Sequence, residues 1–124
     1  MSESIDKVIV VTKGEKAEFD IFLVDKDARP VDLTGFDKFR WAVEADSGQP
    51  LQITQVANVN GSSIVLVAPA VLGHLKVTLG KVDTALLKAS FGQDMDIEWD
   101  VTATPAPKRK RIHKGLNVED SIVV

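Results

Sequence analysis

Strict alternation of acidic and large apolar residues between positions 94 and 101 constrains the fold of this chain more than any other feature. The acidic members are Asp94, Asp96, Glu98 and Asp100, and the apolar members are Met95, Ile97, Trp99 and Val101. Because successive side chains of a β-strand point to opposite faces, a strand separates the two sets, whereas a helix would mix them. Residues 91–103 are therefore predicted to form a strand of a two-layer β protein, with one face in the core and the other in water or against a partner.

The same period of two recurs along the rest of the chain. Extended segments are also predicted at 5–12, 16–24, 36–45, 51–56, 63–68, 74–79, 108–113 and 116–124, with a short extended piece closed by glycine at 31–35. Their inward positions include Phe19, Ile21, Phe39, Trp41, Val43, Leu75, Val77 and Leu79. Glycine, proline and asparagine between the segments are typical of turns. About eight short strands at this spacing favour a sandwich or a barrel over a parallel α/β sheet.

One short helix interrupts the strands, at residues 82–88. Asp83 or Thr84 is predicted to cap its first turn. The spacing of Val82, Leu86 and Leu87 predicts that these three side chains seal one end of the core. A helix of about two turns depends on packing rather than on intrinsic propensity.

Length and charge set further limits. A chain of 124 residues is expected to form one domain, 1–124. With 15 basic and 18 acidic residues its formal net charge is −3, which gives no overall attraction to nucleic acid or to an anionic membrane. There is no cysteine, so disulfides and thiolate metal sites are excluded. No apolar run is long enough for a signal peptide or a membrane span.

The residues offer little for catalysis or for a metal. His74 and His113 lie far apart, and neither has a second ligand at metal spacing. Asp94, Asp96, Glu98 and Asp100 form what we call the acidic row. Its neighbouring carboxylates would be about 6.5–7 Å apart on a strand, too far to share a calcium ion without loop oxygens. No nucleophile set or phosphate loop is visible. We therefore predict no enzyme activity, no cofactor, no metal and no small-molecule substrate.

A basic run, Lys108, Arg109, Lys110 and Arg111, follows the acidic strand after a short proline-containing turn. If the two segments pair as a hairpin, basic side chains come opposite Asp100 and its neighbours, and each good pair stabilises the sheet modestly. Such a run also suits nucleic acid. However, it has no aromatic residues between its charges, and the whole chain is acidic, so nucleic acid is not the expected partner. The acidic face itself is either solvated or a charge-matched contact.

Phe22 is the exception to the alternation in segment 16–24, because it is apolar but occupies a position that is predicted to point outward. Isolated exposed apolar residues are common. The alternative is a contact with a neighbouring subunit. The candidate interface therefore comprises Phe22, the acidic row and the basic run.

Several motifs in a fixed order resemble a known family. Residues Pro30 to Gly35 read Pro-Val-Asp-Leu-Thr-Gly before the central strand, Asp83 to Leu87 read Asp-Thr-x-x-Leu, and Gly115 to Ile122 end in Val-x-x-Ser-Ile. In this order they resemble small virion proteins of tailed bacteriophages, similar to the N-terminal domain of the baseplate upper protein family. The resemblance covers nearly the whole chain. Phe91-Gly92-Gln93 and the basic run depart from the family, at positions that concern the partner surface more than the fold.

The resemblance implies an immunoglobulin-like antiparallel β-sandwich with an architectural role. We expect a non-enzymatic structural protein of a phage virion: a tail, baseplate, fibre-attachment or head-decoration component, assembled in the host cytoplasm. It would form homo-oligomers and dock to other virion proteins, with segments 1–12 and 108–124 as candidates for pairing with neighbouring subunits. The alternative is a carbohydrate-binding or adhesin-like sandwich module, which would need exposed aromatic residues. Trp41 and Trp99 are predicted to point inward, which argues against it.

Overall fold

The structure is a computed structural model and describes residues 8–100 and 108–120. It has eight strands, and their bounds are β1 Ile9–Thr12, β2 Ala17–Phe22, β3 Phe39–Glu44, β4 Pro50–Thr54, β5 Ser63–Leu66, β6 His74–Leu79, β7 Ser90–Trp99 and β8 Lys108–Glu119. A short helix α1, Lys81–Ala85, and a 3-10 turn, Ala70–Leu72, complete the elements. Neither helical element of the described ranges is long and apolar enough to span a bilayer.

The strands form two sheets. The larger has the order β1-β8-β7-β3-β4, and the smaller has the order β2-β6-β5. This is the strand order of an immunoglobulin-like sandwich: β6 lies between β2 and β5 in one sheet, and β7 lies between β3 and β8 in the other. All ladders are antiparallel except the one between β1 and β8, which is parallel. The predicted all-β, immunoglobulin-like sandwich is confirmed, with β1 as the one strand of the described residues that pairs only in parallel.

The core lies between the sheets and is filled by the predicted inward residues. Trp41, Leu75, Val77, Leu79 and Ile97 are fully buried. The indole Nε1 of Trp41 lies 3.3 Å from the Met95 sulfur, and the ring of Phe19 meets the indole edge-on at 5.9 Å between centroids. Trp99 is also buried. Burial of both tryptophans confirms the two-residue periodicity from which the fold was inferred.

The helix differs from its prediction. The helix begins after its N-cap residue, which is Gly80 and not Asp83 or Thr84. No side chain makes a capping hydrogen bond there. Asp83 and Thr84 are buried, while Val82 and Leu86 are about half exposed and only Leu87 reaches the core. The helix turns its polar side inward because hydrogen-bonding groups meet it there: the Thr84 hydroxyl accepts the N–H of Gly14 and donates to the carbonyl of Glu15.

Two other extended segments also differ from their predictions. Residues 31–35 form no strand; Asp32 instead accepts hydrogen bonds from the N–H and hydroxyl of Thr34, and Leu33 is buried. The two segments predicted at 108–113 and 116–124 form one strand up to Glu119. The parts of the predicted strands at residues 1–7, 101–107 and 121–124, including Val101, lie outside the described residues.

Candidate interaction surfaces

The acidic strand and the basic run pair as an antiparallel hairpin within the chain. Opposite positions in the ladder include Glu98 with Arg109 and Asp96 with Arg111. Arg111 binds Asp96 through Nε at 2.8 Å, and Arg109 Nη2 lies 2.8 Å from Glu98 Oε2. The intrachain hairpin considered in the sequence analysis is therefore present, and each of these basic side chains has an acidic partner beside it.

Of the two interpretations of the acidic face, solvated or charge-matched, Glu98 fits the charge-matched one. Its side chain is about 10% exposed, between Arg109 of β8 and Arg40 of β3, with Arg40 Nη1 3.0 Å from Oε1. The carboxylate lies between the two guanidinium groups on the outer face of the sheet, because the three residues are aligned across three neighbouring strands. Two guanidinium groups compensate the loss of water around one carboxylate.

Asp94 and Asp100, at the two ends of the acidic row, differ in their backbone conformation and in their hydrogen bonds. Asp94 Oδ1 accepts the backbone N–H of Lys114 at 3.0 Å, and this bond holds the pKa of Asp94 below its usual range. Asp100 lies beyond the end of β7 with a left-handed backbone, φ 57°, and its N–H donates to the carbonyl of Lys38. The prediction of four carboxylates on one strand face is therefore wrong at Asp100, because the backbone leaves the extended conformation there.

The basic run divides between the two faces of β8. Arg109 and Arg111 point outward to their acidic partners, while Lys108 and Lys110 are opposite the inward residues Trp99 and Ile97. The ammonium group of Lys108 lies 4.9 Å from the centre of the Phe36 ring, which is a cation–π contact. Lys110 has no ion pair with any residue in the described ranges.

Beside Lys110 a groove of about 1140 Å³ opens between the two sheets, along β8 and β2. We call it the strand-edge groove; its lining includes Ile9, Phe19, Ile21, Leu23, Met95, Lys110 and Ile112. Most of these side chains are apolar, and Ile21, Leu23 and Met95 belong to the buried core. No local residue pattern indicated this groove, because it lies where, among the described residues, β1 pairs with β8 only from Leu116 to Glu119.

Phe22 lies at the rim of this groove and points outward, as predicted. Its side chain is 59% exposed and stacks on the ring of His74, with 4.2 Å between ring centres. Nε2 of His74 lies 2.8 Å from Oδ1 of Asp20. A neighbouring strand thus holds the exposed phenylalanine in place, and whether it contacts another subunit stays a prediction.

A second concave surface, of about 690 Å³, lies on the outer face of the larger sheet. Ala42, Asp96, Arg111 and His113 line it, and Phe91 stands at its edge with 74% of its side chain exposed. The alternation places Phe91 on the same parity as Met95, but the ladder shifts register between Ser90 and Met95 and the chain turns Phe91 outward. Gly92, whose φ is 73°, is the sequence signal that could have indicated this irregularity.

A buried polar cluster connects the helix to the loop at residues 58–62, and no sequence motif indicated it. Asp83 accepts hydrogen bonds from the Ser62 hydroxyl and from the side-chain amides of Asn58 and Asn60, the latter two at 2.9 Å. The Ser62 oxygen accepts the Gly80 N–H at 2.8 Å. Every contact of this cluster is within the protein, so we assign it to holding the 58–62 loop against the helix. In the described ranges, no group of three or more potential ligands could hold a metal ion.

Comparison with known proteins gives a result for the fold alone. No protein-family model matches the chain, and no curated protein sequence matches it. Among solved structures, it is similar to the N-terminal domain of phage TP901-1 ORF48, with a TM-score of 0.55 and 10% sequence identity. The match covers 94% of this chain and 90% of that domain. The two domains therefore share an architecture over almost their whole length.

Proposed function

We propose that this chain is a non-enzymatic structural module of a phage virion that works by docking to other proteins. The observation that supports this most is the fold likeness to an N-terminal domain of a phage protein, which extends over nearly all of both chains. The sequence motifs, of which Pro30 to Gly35 is the longest, resemble a phage virion family independently of that likeness. A tail, baseplate, fibre-attachment or head-decoration position is part of the proposal, as is assembly in the host cytoplasm.

The surface chemistry supports docking in preference to turnover. The hairpin carboxylates Asp94, Asp96 and Glu98 are bound by arginines or by a backbone N–H of the same chain. Among residues 8–100 and 108–120 the molecule offers instead open strand edges and an exposed apolar group, Phe22. We propose that these features mediate contacts with further copies of the chain and with other virion proteins.

Purified particles provide the direct test. An epitope-tagged copy would be expressed in the host during a phage infection, and particles would be banded on a density gradient and analysed by quantitative mass spectrometry. We expect the chain in the banded particles at a fixed ratio to the major capsid protein. Its absence from infectious particles, with the soluble fraction retaining all of it, would contradict the proposal. Genes for portal, capsid or tail proteins beside its own would support it, and metabolic genes there would oppose it.

A second candidate function, a carbohydrate-binding or adhesin-like module, is favoured by one observation. Phe91 is exposed beside a concave surface that also presents Asp96, Arg111 and His113, and sugar sites combine an aromatic ring with polar groups. The burial of both tryptophans weighs against it. A glycan array with the wild type and Phe91→Ser separates the two: glycan binding that Phe91→Ser abolishes would favour the second function.

A further inference from the structure

Asn60 and Gly61 form an Asn-Gly pair in the loop between β4 and β5. In such a pair the backbone nitrogen of glycine can attack the side-chain carbonyl carbon of asparagine, because glycine has no side chain to obstruct the approach. A C–N bond forms to close a succinimide ring, and the side-chain nitrogen leaves as ammonia with the proton of the attacking nitrogen. Water then opens the ring, so that aspartate or isoaspartate replaces the asparagine.

The fold binds both reacting groups of this pair. The side-chain Nδ2 of Asn60 donates to Oδ1 of Asp83 at 2.9 Å. The N–H of Gly61 donates to the carbonyl of Asn58 at 3.0 Å. The reaction requires the Gly61 proton to be released and the Asn60 amide nitrogen to depart, so both hydrogen bonds must break before it can proceed.

The loop is also packed too closely to shift while it stays in place. A Cβ at Gly80 would lie 1.8 Å from the backbone oxygen of Asn60, so the two backbones are in contact. Ser62 is buried, and its N–H donates to the side-chain oxygen of Asn58 at 2.9 Å. Release of Asn60 therefore requires the loop to open locally away from Asp83, and the free energy of that opening slows the reaction.

The product of the reaction does not fit the closed loop. An oxygen of the new carboxylate at position 60 would replace the amide nitrogen that lies 2.9 Å from Oδ1 of Asp83. Two carboxylates at this distance cannot both be ionised, and Asp83 is only 2% exposed, so little water screens them from each other. Isoaspartate would in addition lengthen the main chain within the loop. The hydrogen bond that closes the loop is thus exchanged for a repulsion.

We infer that Asn60 is a site of hydrolytic deamidation that Asp83 controls. The contact with Asp83 protects the amide while the loop is closed, and the reaction, once it has occurred, keeps the loop open. Water is the one co-reactant, and the loss of ammonia makes the change irreversible. This inference goes beyond the proposed docking function and does not rest on it.

Peptide mapping by mass spectrometry tests the protection, with the full chain incubated at mildly alkaline pH in buffer and in urea. We expect Asn60 to react at least about 10-fold more slowly in the native protein than in urea. Asp83→Asn is expected to remove most of this protection. Glu98→Gln is the matched control, because it removes an ion-pair partner in β7 and leaves the Asn60 contact intact. Asn58 provides an internal reference, since the side chain of Val59 obstructs the same attack there.

Amide hydrogen exchange at Ser62 tests the consequence for the loop. Asn60→Asp reproduces the charge of the product, and Asn60→Ser shortens the side chain without adding a charge. We expect Asn60→Asp to speed exchange at Ser62 by about 10-fold or more at neutral pH, and Asn60→Ser to speed it less.

Three results would overturn the inference. The first is an equal rate of deamidation at Asn60 in native protein and in urea. The second is equal acceleration by Asp83→Asn and Glu98→Gln, which would assign the protection to global stability. The third is equal exchange at Ser62 in the two Asn60 variants. None of these results bears on whether the chain is present in phage particles.

Discussion

Arg111 binds Asp96 at two points across the ladder between β7 and β8: Nε lies 2.8 Å from Oδ1, and Nη2 lies 3.2 Å from Oδ2. A two-point contact fixes the planar guanidinium in one orientation, which a lysine cannot reproduce. Two residues along, Arg109 makes a single-point contact, from Nη2 to Oε2 of Glu98 at 2.8 Å. The outer face of the hairpin is thus a charge-paired surface whose register is set by side chains as well as by backbone bonds.

Replacing Glu98 by glutamine tests how much that pairing contributes to stability. The amide keeps the shape of the side chain but removes the charge between Arg40 and Arg109. We expect Glu98→Gln to lower the free energy of unfolding by about 1–2 kcal/mol, since one partner is well buried and the arginines are partly exposed. Urea denaturation followed by tryptophan fluorescence measures this. Glu44→Gln, which removes an exposed carboxylate 3.7 Å from Lys88, is the control. A loss no larger than the control's would show that the central carboxylate is dispensable.

The buried Asp83 cluster predicts a dependence of stability on pH. Burial raises the pKa of Asp83, but hydrogen bonds from Ser62, Asn58 and Asn60 outweigh it, so the pKa lies below the usual value. A carboxyl with a lowered pKa in the folded state stabilises the fold above the unfolded-state pKa of about 3.9, and this contribution is lost as the pH falls through the folded-state value.

Asp83→Asn isolates that contribution. At pH 7 we expect the variant to be less stable than the wild type by about 1–3 kcal/mol, because one accepting oxygen is replaced by a donor in a buried site. The difference is expected to shrink below about pH 4 as the wild-type carboxyl becomes protonated. Thermal melts of both proteins between pH 3 and pH 7 provide the comparison. A stability difference that stays constant over this pH range would contradict the lowered pKa of Asp83, since the other carboxylates are common to both proteins.

Gly80 is predicted to tolerate no side chain. A Cβ at this position would lie 1.8 Å from the backbone oxygen of Asn60, and backbone cannot move aside as a flexible side chain can. We expect Gly80→Ala to cost more than about 2 kcal/mol in the free energy of unfolding. Gly48→Ala is the matched control: its φ is 85° but a Cβ there meets nothing within 4 Å, so the backbone strain of about 1–2 kcal/mol acts alone. Equal losses in the two variants would mean that the 58–62 loop moves away from Gly80.

The sequence of this chain predicts which residues lie in the core, but it does not predict which side chains cover one another on the surface, and the two results have different physical causes. The two-residue period located Trp41, Ile97 and Trp99 in the core because burial of large apolar groups dominates the stability of a sandwich. It placed Glu98 on the outer face but could not predict its burial between Arg40 and Arg109, because alternation predicts the face on which a residue lies and not which side chains of neighbouring strands cover it there.

The helix shows a second limit. Apolar spacing favoured Val82 and Leu86 as core residues, yet both are exposed and Asp83 is buried. The hydrogen bonds that decide this come from Asn58, Asn60 and Ser62, which are more than twenty residues away in the chain. The strand-edge groove was missed for a similar reason, because it depends on where β1 stops relative to β8. Such relationships are set by tertiary pairing and leave no local pattern.

Phe22 provides the test of self-association. Its side chain is exposed and stacks on His74, so Phe22→Ser is expected to cost only about 0.5–1 kcal/mol of folding stability. If the ring contacts a neighbouring subunit, as we predict, the same change weakens self-association by about 10-fold or more in sedimentation velocity. Phe91→Ser is the control, since it removes another exposed phenylalanine, from a different surface. Two results would contradict the prediction: the wild type stays monomeric at all concentrations, or the wild type and both variants associate equally. Phe22 would then be an isolated apolar surface residue.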